Sequence, residues 1–177
     1  MSTLSSPPLS RRSLLKLGLG ASAVLATAGF TATLSGCSSD APASGYQVLR
    51  DSDLPMLTAV ISALVGPHPA RNETNLKAAV AQLDTTLAWT SPAVQKQLTD
   101  LFGLLNMGIS RGPLTGIWGR WDNASEAEVQ AFLERWRNSR LEMLRQGHSA
   151  LNQLLQMAWY ALPVSWEAVG YPGPPTI

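Results

Sequence analysis

The sequence predicts an all-α protein in which a single small domain of about five helices follows a signal segment and precedes a Pro/Gly-rich tail. Apolar residues recur at the i, i+3, i+4 spacing of an amphipathic helix across residues 51–164, and no stretch shows the alternation that is typical of a strand. Removal of residues 1–36 from the 177-residue chain leaves 141 residues. This length suffices for one domain core and is too short for two.

The first three helices are predicted from apolar stripes that lie between start and stop signals. The first helix follows Asp51-Ser52-Asp53 and stops at Gly66-Pro67, and the second ends near Trp89. The third begins at Ser91-Pro92, where a serine N-cap precedes a proline at the first helical position, and its stripe extends to Ile109. The stripes consist of Leu54, Leu57, Val60, Ile61 and Leu64, of Leu76, Ala79, Val80, Leu83 and Leu87, and of Val94, Leu98, Leu101, Phe102 and Leu105.

An irregular loop is predicted for residues 111–124, because glycine and proline are dense there. The large aromatic residues in this loop indicate that it packs against another surface. Ser125 and Glu128 have the spacing of a capping box and predict the start of a fourth helix. The apolar residues that follow continue in one phase until Pro163, with a kink expected near Gly147.

The N-terminal segment, residues 1–36, has the composition of an export signal. Arg11, Arg12 and Lys16 precede an uncharged, weakly apolar stretch at residues 17–34, as in twin-arginine signals. An uncleaved membrane anchor remains the alternative, although the stretch is barely long enough to cross a bilayer. The sequence therefore predicts export to the periplasm of a bacterium.

Residues 34–37, Leu-Ser-Gly-Cys, resemble a lipoprotein processing site, at which the thiol is acylated and becomes the new N-terminus. Cys37 is the only cysteine of the chain, so no intrachain disulfide can form. An ordinary thiol just beyond a cleavage site is the alternative. The predicted organisation is a signal at residues 1–36, a tether at 37–50, a helical domain at 51–164 and an interface tail at 165–177, with the lipid holding the domain at a membrane.

The residues that could carry chemistry do not form a recognisable motif. His68 and His148, the two histidines of the chain, lack acidic or cysteine neighbours at metal-ligand spacing. The serines lie outside a Gly-x-Ser-x-Gly pattern, and the chain has neither a glycine-rich nucleotide loop nor a Cys-x-x-Cys-His haem motif. We therefore expect no catalytic residue, no metal site and no cofactor in this chain.

The charge pattern gives no sign of a nucleic-acid partner. Three of the 13 Lys and Arg residues belong to the signal, which leaves ten against 12 Asp and Glu. The basic residues of the densest cluster alternate with glutamates, as on a solvated helix face. This cluster consists of Arg135, Arg137, Arg140 and Arg145, with Glu134 and Glu142 between them.

Five of the six tryptophans fall into two groups. Trp89 and Trp136 lie on helical stripes and are predicted to belong to the core. The loop tryptophans and the tail are predicted to form a partner interface, because a semi-rigid polyproline-like strand loses little conformational entropy when it docks. The predicted interface residues are Trp118, Trp121, Trp166, Tyr171, Pro172, Gly173 and Pro174.

Three segments together resemble a known family. They are the twin-arginine leader, the start of the first helix at Leu49-Arg50-Asp51-Ser52-Asp53-Leu54, and the closing Trp166-Glu167-Ala168-Val169-Gly170-Tyr171-Pro172-Gly173-Pro174-Pro175. With these segments the chain resembles the gluconate 2-dehydrogenase subunit 3 family over about its whole length. The most specific part is Gly170 to Pro175, since many unrelated exported proteins have such a leader.

The resemblance implies a non-catalytic small subunit that accompanies a periplasmic flavin-dependent dehydrogenase of the glucose-methanol-choline oxidoreductase type. The large subunit would hold FAD and oxidise a sugar, a sugar acid or an alcohol. This chain would bind it in the cytoplasm and take it through the twin-arginine translocase as folded cargo. A cytochrome subunit stays open as a further partner. Cys37 departs from some relatives and would tether the complex to the membrane. The alternative is a free-standing periplasmic lipoprotein with a structural or adaptor role.

Overall fold

The regular elements of residues 41–173, the part of the chain that the computed structural model describes, are all helical and include no strand. This confirms the predicted helical fold class. The α-helices are α1 (Asp53–Val65), α2 (Glu73–Ala88), α3 (Pro92–Asn106), α4 (Gly108–Thr115), α5 (Glu126–Arg137) and α6 (Glu142–Tyr160). Short 3-10 turns lie at Trp121–Asn123, Pro163–Ser165 and Glu167–Val169.

The first helix, α1, lies at the centre of the packing and contacts α2, α3, α5 and α6. Neighbouring helices cover more than one of its faces, so four of its apolar residues are fully buried: Met56, Leu57, Val60 and Ile61. Phe102 from α3, Phe132 from α5 and Trp159 from α6 complete the same core. The helices are thus held together mainly by apolar burial around α1.

The predicted helix boundaries at short polar signals are confirmed. The Ser91 side chain accepts a hydrogen bond from the Val94 N–H at the start of α3. At the start of α5, Ser125 and Glu128 form the reciprocal bonds of a capping box. Gly66 ends α1 with a φ of 64°, a conformation that suits glycine best.

The connection after α3 differs from the prediction. The third helix ends at Asn106 rather than Ile109, because Met107 is extended, with φ −65° and ψ 126°. A separate helix, α4, then takes in residues 111–115, the first part of the segment that the sequence indicated as irregular, and it contains Pro113. Gly116 ends α4 in the left-handed region with a φ of 77°. The part of the chain that the structure describes therefore has six α-helices rather than five.

The last two helices are also separated where the sequence predicted continuity. A turn at residues 138–141 divides α5 from α6, and Gly147 lies inside α6 without ending it. A Cβ atom at Gly147 would lie 2.7 Å from Cζ3 of Trp136. The glycine thus permits a close crossing of α5 and α6.

The chain before α1 packs on the helices from Ala43 onward. Ala43 and Leu49 are buried, and the Asp84 carboxylate on α2 accepts hydrogen bonds from the backbone of residues 47–49. The sequence placed residues 37–50 in a tether. Its described part, residues 41–50, instead includes a stretch that belongs to the packed domain.

Candidate interaction surface

Trp118 presents the largest exposed aromatic surface on the connection between α4 and α5. Its side chain is 77% exposed, and one edge of its indole lies against Gly112 of α4. A Cβ atom at Gly112 would lie 2.5 Å from Cε3 of Trp118, so only glycine allows this approach. The ring is therefore seated on the protein while much of its area faces solvent.

Further apolar side chains are exposed where α3 meets α4. Ile109, one helical turn before Gly112 in α4, is 81% exposed, and Leu104 and Met107 are also exposed. The extended Met107 backbone turns the chain between the two helices. We refer to Leu104, Met107, Ile109 and Trp118 as the elbow patch. Large exposed apolar side chains near each other in the chain are characteristic of protein interfaces.

Trp121 does not belong to the exposed surface that the sequence predicted for it. It is only 4% exposed, its Nε1 donates to the Leu105 carbonyl at 3.0 Å, and its ring meets Phe132 edge-on. The 3-10 turn at Trp121–Asn123 packs against α1. This contact places the indole in the core.

The two tryptophans predicted as core residues have opposite environments. Trp136 is buried, and its Nε1 donates to the Leu114 carbonyl at 2.9 Å, which confirms its core assignment. Trp89 is 89% exposed, so its assignment was wrong. It follows the last residue of α2, where the helical stripe no longer determines which way a side chain points.

The tail folds back on the end of α6 and is not an extended strand over the residues that the structure describes. The half-buried Trp166 donates from Nε1 to the Tyr160 carbonyl at 2.8 Å, and its ring meets Tyr171 edge-on at 5.4 Å. The Tyr171 N–H donates to the Trp166 carbonyl, and Gly170 makes the turn with a φ of 69°. Tyr171 and Pro172 are exposed at the outer side of this hook.

Gly173 and Pro174 are the remaining residues that the sequence predicted for the interface. Gly173 is half-buried, with a φ of 99°, and a Cβ atom there would lie 3.2 Å from Cζ3 of Trp166. Pro174 lies outside the described residues. The signal residues Arg11, Arg12 and Lys16 and the predicted lipid acceptor Cys37 also lie outside them.

A polar cleft lies between α5 and α6. Glu134 and Arg137 line it from α5, His148 and Asn152 line it from α6, and Leu133 contributes an apolar wall. Burial lowers the pKa of His148, and the positive charge of Arg137 lowers it further. The neutral imidazole is therefore favoured in the folded protein.

His68, the second histidine, lies in the connection between α1 and α2, and its ring packs against α6. Its Nδ1 accepts a hydrogen bond from the Ala70 N–H at 3.1 Å, and its ring is perpendicular to the indole of Trp159 at 5.3 Å. In residues 41–173, no three His, Cys, Asp or Glu side chains are grouped so that they could hold a metal ion. Over the same residues, no helix is both long and apolar enough to cross a membrane.

An apolar groove runs between α1 and α2 on the side of Trp121. Leu54 and Thr58 of α1 face Leu76 and Val80 of α2 across it, and the groove encloses about 500 Å³. Lys77 lies at the rim of the groove, where its Nζ pairs with Oε1 of Glu73 at 2.7 Å.

Sequence reasoning missed the residues that hold the N-terminal segment and those that form the elbow patch. Asp84 appears in the sequence as an acidic residue within a helix, with no signal that it is buried. The elbow depends on the extended backbone of Met107, which Gly108 follows directly; a glycine just beyond a helix is a stop signal that sequence reasoning did not use. Gly112 beside Trp118 was a second usable signal, since glycine within a helix often indicates a close approach.

The comparisons with known proteins identify no relative. No protein-family model matches the chain, and no curated protein and no solved structure matches it.

Proposed function

We propose that this chain is the non-catalytic small subunit of a periplasmic FAD-dependent dehydrogenase of the glucose-methanol-choline type, which oxidises a sugar, a sugar acid or an alcohol. In this proposal the chain binds the large subunit and supplies its twin-arginine export signal through Arg11 and Arg12. Cys37 carries the lipid that holds the complex at the membrane. FAD belongs to the partner subunit.

The observation that carries the proposal is the combination of an export-type leader with an exposed, anchored tryptophan. Trp118 rests on Gly112 and keeps most of its indole in solvent. An aromatic ring that is already fixed in place gains apolar burial on binding and loses little rotamer entropy. Tryptophans in such settings often dominate the binding free energy of an interface. The elbow patch is therefore the proposed docking surface, together with Tyr171 and Pro172 of the hook.

The partner is tested by purification of the tagged full-length protein from its own cells. We expect a larger flavoprotein to co-purify, identified by its flavin absorbance and by mass spectrometry. Reproducible recovery of the chain without any flavoprotein would contradict the proposal and favour the free-standing lipoprotein.

The docking surface is tested by a matched pair of tryptophan substitutions. Trp118→Ala removes the anchored ring of the elbow patch, and Trp89→Ala removes a ring that is 89% exposed and lies just before α3, at the end of that helix opposite Leu104. We expect Trp118→Ala to weaken flavoprotein recovery by about tenfold or more and Trp89→Ala to leave it unchanged.

The thermal unfolding midpoint of each variant serves as the control for folding. Equal recovery of the flavoprotein with both variants would show that the elbow patch is not the docking surface.

A further inference from the structure

Asp84 on α2 holds the chain that precedes α1. It is only 3% exposed, and its carboxylate accepts hydrogen bonds from three successive backbone N–H groups: those of Gln47 at 2.7 Å, Val48 at 2.9 Å and Leu49 at 2.9 Å. A buried carboxylate needs such donors, because without them its desolvation would be strongly unfavourable. The three bonds fix residues 47–49 against the helix.

Asp53 on α1 holds the next residue in the same way. Its fully buried carboxylate accepts from the Arg50 N–H at 3.0 Å and forms an ion pair with the Arg50 guanidinium. Arg50 also donates to the Thr99 carbonyl at 2.8 Å, and Asn106 donates to Asp53 at 2.9 Å. The Arg50 side chain therefore links the start of α1 to α3.

Buried apolar side chains also hold the same segment against the helices. Ala43 and Leu49 are buried, and the Ala43 N–H donates to the Leu49 carbonyl at 2.7 Å, which closes residues 43–49 into a loop. The exposed side chain of Gln47 makes no core contact, so this residue contributes through its backbone.

These contacts join parts of the chain that are far apart in sequence. Asp84 lies 35 to 37 residues after its donors, and Thr99 lies 49 residues after Arg50. The contacts can therefore form only after α2 and α3 have folded and packed against α1. Before that stage, the peptide bond after Arg50 is as accessible as in any unfolded segment.

We propose that Asp84 and Asp53 form a fold-dependent clasp that protects the connection between the export leader and the domain from proteolysis. The clasp rests on the proposed function in one respect: residues 1–36 are taken to be an export signal that must stay attached to the domain until export. Only five residues, 38–42, separate Cys37 from the first fastened residue. A folded chain keeps its export signal. A chain in which α2 or α3 is unfolded exposes the peptide bond after Arg50, and cleavage there removes the signal.

The clasp is tested by trypsin digestion of the purified full-length protein under native conditions. Gln47→Pro removes the N–H that makes the shortest bond to Asp84, and Gln47→Ala retains this N–H as the matched control. We expect the fragment that begins at Asp51 to form about tenfold faster from Gln47→Pro than from Gln47→Ala, since hydrogen bonds to charged groups are among the stronger ones. Cleavage after Lys96, an exposed residue near the start of α3, reports fraying of that helix and should stay equal in the two variants.

Asp84→Asn provides a second variant on the acceptor side, with Glu73→Gln, an exposed carboxylate on the same helix, as its control. Faster cleavage after Arg50 in Asp84→Asn alone would support the clasp. Equal rates for Gln47→Pro and Gln47→Ala would overturn it, and so would parallel acceleration at Arg50 and Lys96, because the substitution would then loosen α3 itself rather than release the segment. These measurements need no flavoprotein, so the clasp and the proposed function can fail separately.

Discussion

His148 makes the stability of the domain sensitive to acid. Burial in the cleft between α5 and α6, and then the charge of Arg137, lower its pKa below the usual 6.5. The folded protein thus binds a proton less readily than the unfolded chain. The contribution of this histidine is fully present above pH 6.5 and is lost as the pH falls through the lowered pKa.

Replacement of His148 by glutamine should remove this acid sensitivity. We expect the free energy of unfolding of the wild type to fall relative to that of His148→Gln as the pH drops below 6.5 and passes through the lowered pKa of His148, with a constant difference at higher pH. Urea unfolding across this range measures the effect. Parallel pH profiles of the two proteins would show that His148 is not responsible.

Among individual residues, the sequence predicted the burial of some side chains and missed that of others. Trp136 lies in the middle of the apolar stripe of α5, and its burial was predictable from that position. Trp89 and Trp121 lie just outside regular helices, where periodicity carries no information about direction. Asp84 is buried because a distant backbone segment folds over it, which no local pattern indicates.

The crossing of α5 and α6 depends on a glycine at the point of contact. The Trp136 ring lies over Gly147 and cannot move freely, because its Nε1 is bonded to the Leu114 carbonyl. Gly147→Ala should therefore destabilise the domain by about 1–3 kcal/mol, as overpacking of a core generally does. Gly108→Ala is the matched control, since a Cβ atom there has nothing within 4 Å.

The free energy of unfolding from urea titration measures this effect. A Gly147→Ala variant that is as stable as Gly108→Ala would show that the two helices can separate without cost at this point.

Among the helices, the boundaries with a local chemical signal were predictable. Ser91 and Ser125 cap α3 and α5 through their own side chains, and Gly66 ends α1 through its left-handed backbone. The break between α3 and α4 was missed, because it lies at a methionine within an apolar stripe and a single glycine, Gly108, is the only local signal beside it. Tertiary packing determines such a boundary, here with Trp118 packed on Gly112 of α4.

At the scale of the whole molecule, the protein combines three parts. The helical domain and its fastened N-terminal segment are features of the structure. The leader, with Arg11, Arg12 and Cys37, is a feature of the sequence. The elbow patch connects them through the proposal that the domain binds a cargo and the leader directs it. The sequence predicted the helices, and the leader stays a prediction from the sequence, whereas the exposed patch required the fold.

The central claim is that the leader acts on behalf of a bound flavoprotein. Replacement of Arg11 and Arg12 by lysine removes the twin-arginine pair and keeps its charge, and Lys16→Arg serves as a control that alters a basic residue outside the pair.

The decisive measurement is the distribution between cytoplasm and periplasm of the dehydrogenase activity and flavin that co-purify with the chain. We predict that both stay in the cytoplasm with the double lysine variant and reach the periplasm with the wild type and with Lys16→Arg. Unchanged periplasmic activity in cells that carry the double lysine variant would contradict the account.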